Sequence, residues 1–172
     1  MKGKNKIQLK NYAFIDSQNL NLSVKDMGWS LDFQRLRVYL EDKFSVKKAF
    51  LFLGFIPEQQ RMYTNLQEWG YILIFKPTLM LPTGKVKGNV DAELVLHATL
   101  EIPNYDNAVI ITGDGDFHCL IEHLKNIDKL EKVIIPNKCK YSSLLRKFNS
   151  NLVFMNGLKK KLELENKKSG IN

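Results

Sequence analysis

Six short apolar runs punctuate the sequence: YAFID (residues 12–16), AFLFLGF (49–55), YILIF (71–75), AVIIT (108–112), KVIIP (132–136) and LVFM (152–155). Runs that stay apolar at every position, rather than at alternate ones, are expected of strands covered on both faces. Between them, apolar residues recur at three- and four-residue spacing. Phe33, Leu36, Tyr39, Leu40 and Phe44 predict a helix over 33–44, with Asp32 as its cap. Pro57 and Gly70 bracket a second helix, reaching Trp69, in the usual proline-first, glycine-last order. Asn89 is placed to cap a helix over 90–101, and further helices are expected over 117–127 and 142–148. Residues 17–31, around Gly28, read as irregular, and 76–88 as a loop or small hairpin. Strands alternating with helices predict an α/β domain, a three-layer α/β/α sandwich around a mainly parallel sheet.

The 172 residues suffice for one domain with a sizeable core, and no repeat or interior linker divides them. The longest apolar stretch, residues 49–56, is too short to span a bilayer as a helix. Two cysteines, Cys119 and Cys139, are too few for a metal cage and read as reduced thiols, and the expected setting is cytoplasmic. The formal charge of +8 sits mostly at the ends. Residues 1–10 carry four lysines and no acid, and residues 158–172 carry five lysines and two glutamates. Both are expected to be basic tails, the second a frayed helix or disordered, on a near-neutral body spanning 11–157.

Parallel sheets bind ligands beyond the carboxyl ends of their strands. There the first run ends in Asp16-Ser17-Gln18-Asn19 and the fourth in Thr112-Gly113-Asp114-Gly115-Asp116. Asp91, in the first turn of the helix leading to the fourth run, shares a face with Leu94, Val95 and Ala98. Each acid has an ordinary structural use as well, as a helix cap or turn residue. Gathered together, however, carboxylates repel, and protonation or a divalent cation relieves the repulsion. A hard cation such as Mg²⁺ or Mn²⁺ suits an all-oxygen set. The phosphate-binding loops GxxxxGK[ST] and GxGxxG are absent, and Ser17 lacks a GxSxG context. His97 is expected on the polar side of its helix, and His118 directly after the acidic block.

Three blocks carry a family resemblance: FIDSQNL (14–20), KGNVDAELVLHA (87–98) and ITGDGDFHCLIEHL (111–124). Together, across residues 11–157, the sequence resembles the NYN domain, a branch of the PIN-like nuclease superfamily. The resemblance implies a sheet ordered 3-2-1-4-5, with the first and fourth strands adjacent. It also implies Asp16, Asp91, Asp114 and Asp116 as metal ligands and catalytic residues, Asn19 as a further catalytic residue orienting a ligand water or the scissile phosphate, and Ser17 and Thr112 in support. Asn89 is an extra residue where relatives often run KGVD, so the placement of Asp91 is the test of that transfer.

The expected activity is a Mg²⁺- or Mn²⁺-dependent ribonuclease, with endonucleolytic action favoured, that hydrolyses RNA phosphodiesters by activated water. Lys85 and Lys87, and a second group of Lys138, Lys140, Arg146 and Lys147, are candidate RNA-phosphate contacts. RNA is the expected partner, a homodimer a further expectation, and no membrane is involved. A non-catalytic RNA-binding module and a nucleotide phosphohydrolase are the alternatives.

Overall fold

A computed structural model describes residues 9–76, 79–80, 86–87 and 90–165. Its centre is a six-stranded, all-parallel sheet of β1 (Asn11–Asp16), β2 (Val46–Gly54), β3 (Tyr71–Lys76), β6 (Ala108–Ile111), β7 (Leu130–Ile135) and β8 (Leu152–Phe154). The spatial order is β3-β2-β1-β6-β7-β8, so the first and fourth strands of the sheet are neighbours, as the resemblance implies, and a sixth strand extends one edge. The expected loop or hairpin contains an antiparallel pair, β4 (Leu79–Met80) and β5 (Val86–Lys87).

Successive strand residues point to opposite faces, and the two cores follow that parity. Ala13 and Ile15 face a core built with α1 (Ser17–Asp26), α2 (Phe33–Phe44) and α3 (Gln60–Glu68). Tyr12 and Phe14 face the other, against α4 (Asp91–Leu100) and α5 (His118–Asn126). Asp16 is the next residue in the Tyr12–Phe14 register, which turns its side chain to the α4 face at the carboxyl rim.

Most expected elements form within a few residues of their predicted bounds; Asp32 caps α2 by accepting from the Arg35 amide. Four expectations are corrected. Residues 17–26 are helical: Asp16 caps α1 directly from the strand end, and Leu20 and Val24 bury one face. The 71–75 run is not covered on both faces but is the sheet edge, with Ile72 and Phe75 exposed. Helix α4 begins at Asp91, with Val90 in the cap position and no side-chain cap; Asn89 lies outside the described residues. The segment over 142–148 is a 3-10 helix, Ser143–Asn151, kinked at Phe148.

Over their described parts the basic ends pack against the body. Lys10 exchanges backbone and side-chain bonds with Asp106. At the other end, α6 (Lys159–Leu162) buries Leu162 against the α2 face. Leu31 forms a bridge with Glu163, and Arg35 bonds the Glu163 carbonyl and the Glu165 carboxylate. Residues 1–8 and 166–172 lie outside the described set. Truncating the fully buried Leu162 to alanine should therefore cost about 2–4 kcal/mol. Chemical denaturation measures this, and a change within ~0.5 kcal/mol would show that the segment is only loosely attached.

Candidate active site

The parallel register sets Ile15 opposite Ile111, so the next residues along, Asp16 and Thr112, meet side by side at the carboxyl rim. Both are buried. The Thr112 hydroxyl donates to Asp16 Oδ2 at 3.3 Å and accepts from the Asp114 amide at 3.1 Å. One side chain thereby joins the first-strand acid to the turn carrying the next two. Asp16 Oδ1 accepts from the Asn19 amide at 3.1 Å. Asn19 then spans the gap between strand ends, its Oδ1 accepting from the Gly113 amide at 2.8 Å. Asp114 caps the short turn Gly115–Phe117 by accepting from the Asp116 amide at 3.0 Å.

Three of the four expected acids converge. Carboxylate oxygens of Asp91, Asp114 and Asp116 lie within 4.8 Å of one another, with Asp91 and Asp114 half-buried and Asp116 exposed. Asp91 reaches this cluster despite the extra Asn89, because α4 starts at Asp91 itself. Asp16 is not one of the mutually close three, yet feels two of them. Burial, the largest influence, and the charges of Asp91 and Asp114 push its carboxyl from the ordinary 3.8 up to about 6, against the lowering bonds from Asn19 and Thr112. Among the described residues, no ion pair involves Asp16, Asp114 or Asp116. Crowded carboxylate oxygens of this kind are a donor set that a hard divalent ion fits.

The other expected residues divide by position. The Ser17 hydroxyl accepts from Asn21 within α1, at 3.5 Å. His118 Nδ1 lies 3.0 Å from the Gly115 carbonyl and so braces the turn. His97 is not on a polar surface: its half-buried ring packs on Phe50 and Phe52. Lys140 pairs with Asp26 at 2.9 Å and Lys147 with Glu122 at 2.7 Å, while Lys138 lies over the Phe154 ring. Arg146 is exposed; Lys85 and the Lys87 side chain lie outside the described residues.

A contact not foreseen from the sequence closes the far side. The loop after β7 returns over the acidic turn, its Ser142 amide donating to the Gly113 carbonyl at 3.0 Å. A Cβ on Gly115 would collide with the Ser142 hydroxyl and Cβ, so glycine there allows the close approach of the two loops. The residue types, serine and glycine, gave a turn signal but no partner. Gly115→Ala should destabilise the protein by about 1–3 kcal/mol through this overpacking. Urea unfolding reads the change, and an unaltered midpoint would show that the loop yields freely.

A parallel α/β/α sandwich with carboxylates gathered beyond two adjacent central strands defines the PIN-like class. Residues 11–155 match the NYN domain, and the chain belongs to that family. It is 28% identical over 122 residues to the low amplitude and bright protein LabA of Synechococcus elongatus, an alignment spanning 65% of this chain and 66% of that one. Its fold also resembles the crystal structure of a protein of unknown function from Vibrio parahaemolyticus, with TM-score 0.73 and 22% identity. That likeness covers 95% of this chain and 100% of the other.

Proposed function

We propose that the protein is a divalent-metal-dependent ribonuclease acting at the carboxyl-rim crevice between β1 and β6. The observation that carries this reading is the convergence of Asp91, Asp114 and Asp116 near a buried Asp16. Asp91, Asp114 and Asp116 would hold Mg²⁺ or Mn²⁺, which when bound supplies charge neutralisation and an activated water for phosphodiester hydrolysis. Asp16 adds negative potential, and Thr112 and Asn19 hold the two loops that carry the acids in fixed relation. Asn19 already spends its carbonyl oxygen on Gly113, which leaves its amide group as the part able to meet a phosphate or water. Lys138, on the loop after β7, is a candidate to hold a flanking phosphate, while Lys140 is tied to Asp26 and contributes less. Lys147 is likewise tied to α5. Endonucleolytic action is the favoured mode.

A module that only bound the phosphate backbone would gain nothing from a carboxyl group held near pH 6 by burial and like charge. The test is cleavage of end-labelled single-stranded and hairpin RNA by the pure protein with Mn²⁺, with Mg²⁺ and with chelator. Metal-dependent internal cuts are expected. No cleavage of any RNA with either ion, from a folded preparation, would overturn the reading.

A further inference from the structure

The carboxyl rim extends past the acidic crevice to the edge of the sheet, and what stands there is aromatic. Phe55, which directly follows β2, and Phe75, near the end of β3, are 38% and 37% exposed, unusual for rings on an otherwise well-packed sheet. They meet edge to face, with centroids 5.5 Å apart and planes at 90°. Buried Tyr63 on α3 underlies both, 6.0 Å from Phe55 and 4.8 Å from Phe75. Its hydroxyl lies 2.9 Å from the Ile56 amide, 3.2 Å from the Ile56 carbonyl and 3.5 Å from that of Gly54, which holds the turn that presents Phe55. The Phe55 amide also donates to the Lys76 carbonyl. The pair is thus fixed in place before any ligand arrives. Exposed Met62 and Arg61 lie on the adjoining turn of α3.

The register measures its distance from the site. Asp16 lies opposite Phe52, and Phe52 opposite Ile74, the residue before Phe75. Two strand spacings separate Asp16 from Ile74, and the crevice toward β6 lies about one spacing further, roughly 14 Å in all, or about four stacked nucleotides at ~3.4 Å each. Asp16 turns to the α4 face and Phe75 to the α3 face, so a chain joining them must cross the rim itself. A single strand can do this, whereas a rigid duplex could not bend so sharply over two strands.

We propose that Phe55 and Phe75 form a shelf on which bases of single-stranded RNA stack, about four nucleotides from the phosphate held at the acidic crevice. The proposal rests on the ribonuclease reading above. Ring stacking suits the planar faces of all bases, so the shelf contributes affinity and a minimum substrate length rather than sequence preference.

The test uses the full-length Asp114→Asn protein in Mg²⁺, so that cleavage does not intervene, and a single-stranded hexanucleotide carrying the fluorescent base 2-aminopurine. Binding should quench the fluorophore. Phe55→Leu or Phe75→Leu, each keeping apolar bulk without a ring, should weaken binding about tenfold, the scale of one stacked base. A dinucleotide should be indifferent to either change, and Phe55→Trp should retain full affinity with its own emission altered by the hexanucleotide. If neither the unsubstituted protein with Mg²⁺ nor the Asp114→Asn protein binds or cleaves the hexanucleotide, the ribonuclease reading itself falls. If the Asp114→Asn protein binds and the leucine variants bind equally well, the shelf alone falls. A leucine variant that instead dissociates a dimer in light scattering would assign the rings to a self-interface and also overturn the shelf. Should the leucine variants fail to fold, Phe55→Trp decides: emission unchanged by bound hexanucleotide refutes stacking there.

Discussion

Asp114→Asn is expected to lower RNA cleavage by about 10³-fold, comparable to losing a group that stabilises charge in a transition state, with the fold intact. Both halves follow from the bonds at residue 114. Its Oδ1 accepts from the Asp116 amide, and an asparagine oxygen can accept the same bond, so the cap on the Gly115–Phe117 turn survives. Its own backbone amide donates to the Thr112 hydroxyl, a bond the substitution leaves alone. What disappears is one negative charge from a cluster whose oxygens lie within 4.8 Å of one another. Asp42→Asn, on the exposed side of α2, removes a charge of the same kind and should leave cleavage unchanged. Steady-state rates on one RNA substrate with Mn²⁺ check both variants. Equal activity of Asp114→Asn and the parent would place the chemistry elsewhere.

The second large effect is on stability, and its direction is opposite to that of most core changes. In metal-free protein, Asp16 is raised to about 6 in the fold from 3.8 in the unfolded chain. Between those values the folded state holds a proton that the unfolded chain has released. The contribution of this group is therefore complete below about pH 3.8 and is lost as pH rises through 6. A rise of that size corresponds to at most about 3 kcal/mol at neutral pH. Asp16→Asn, which can still cap α1, should remove that penalty and stabilise the metal-free protein by about 1–3 kcal/mol at pH 8, with little gain at pH 4. Urea unfolding with chelator at several pH values measures this. Destabilisation at pH 8, or a gain independent of pH, would contradict the electrostatic account. A carboxyl group raised by burial and like charge in this way is a feature that functional acids in crevices commonly share.

Several elements were legible in the sequence because a single physical signal defined them. The central strands β1 and β6 bury both faces, so their runs are apolar throughout, and α2 has both a cap and a regular stripe. Helix α1 escaped because Asp16 ends the strand and caps the helix at once, leaving no turn residue between them. Its buried side is only Ser17, Leu20 and Val24, with Leu22 exposed. The β3 run looked like a central strand because hydrophobicity alone does not distinguish a centre from an edge whose apolar residues remain in the open. The end of the chain read as a basic tail because its lysines outnumber its anchors. What docks it is one leucine, a backbone bridge and Arg35, partners some 130 residues apart in sequence.

The site divides the same way. Asp16, Asp114 and Asp116 stand at strand ends, and Asp91 at a helix start, positions that sequence spacing reveals. The role of Thr112 as the link between two carboxylates required the β1–β6 register, and the Ser142–Gly115 contact required the return of a distant loop. The lysines were the least legible: Lys140 and Lys147 looked unopposed along the chain, yet fold against Asp26 and Glu122.

The central claim is that the rim acids form one divalent-cation site, and calorimetric titration of the purified protein with Mn²⁺ tests it most directly. Binding is expected to be saturable and to release protons near pH 6 as Asp16 ionises. It should weaken at least tenfold in Asp91→Asn, Asp114→Asn and Asp116→Asn alike, with Asp42→Asn binding as the parent does. Equal Mn²⁺ uptake by the parent and all three rim variants would contradict the account.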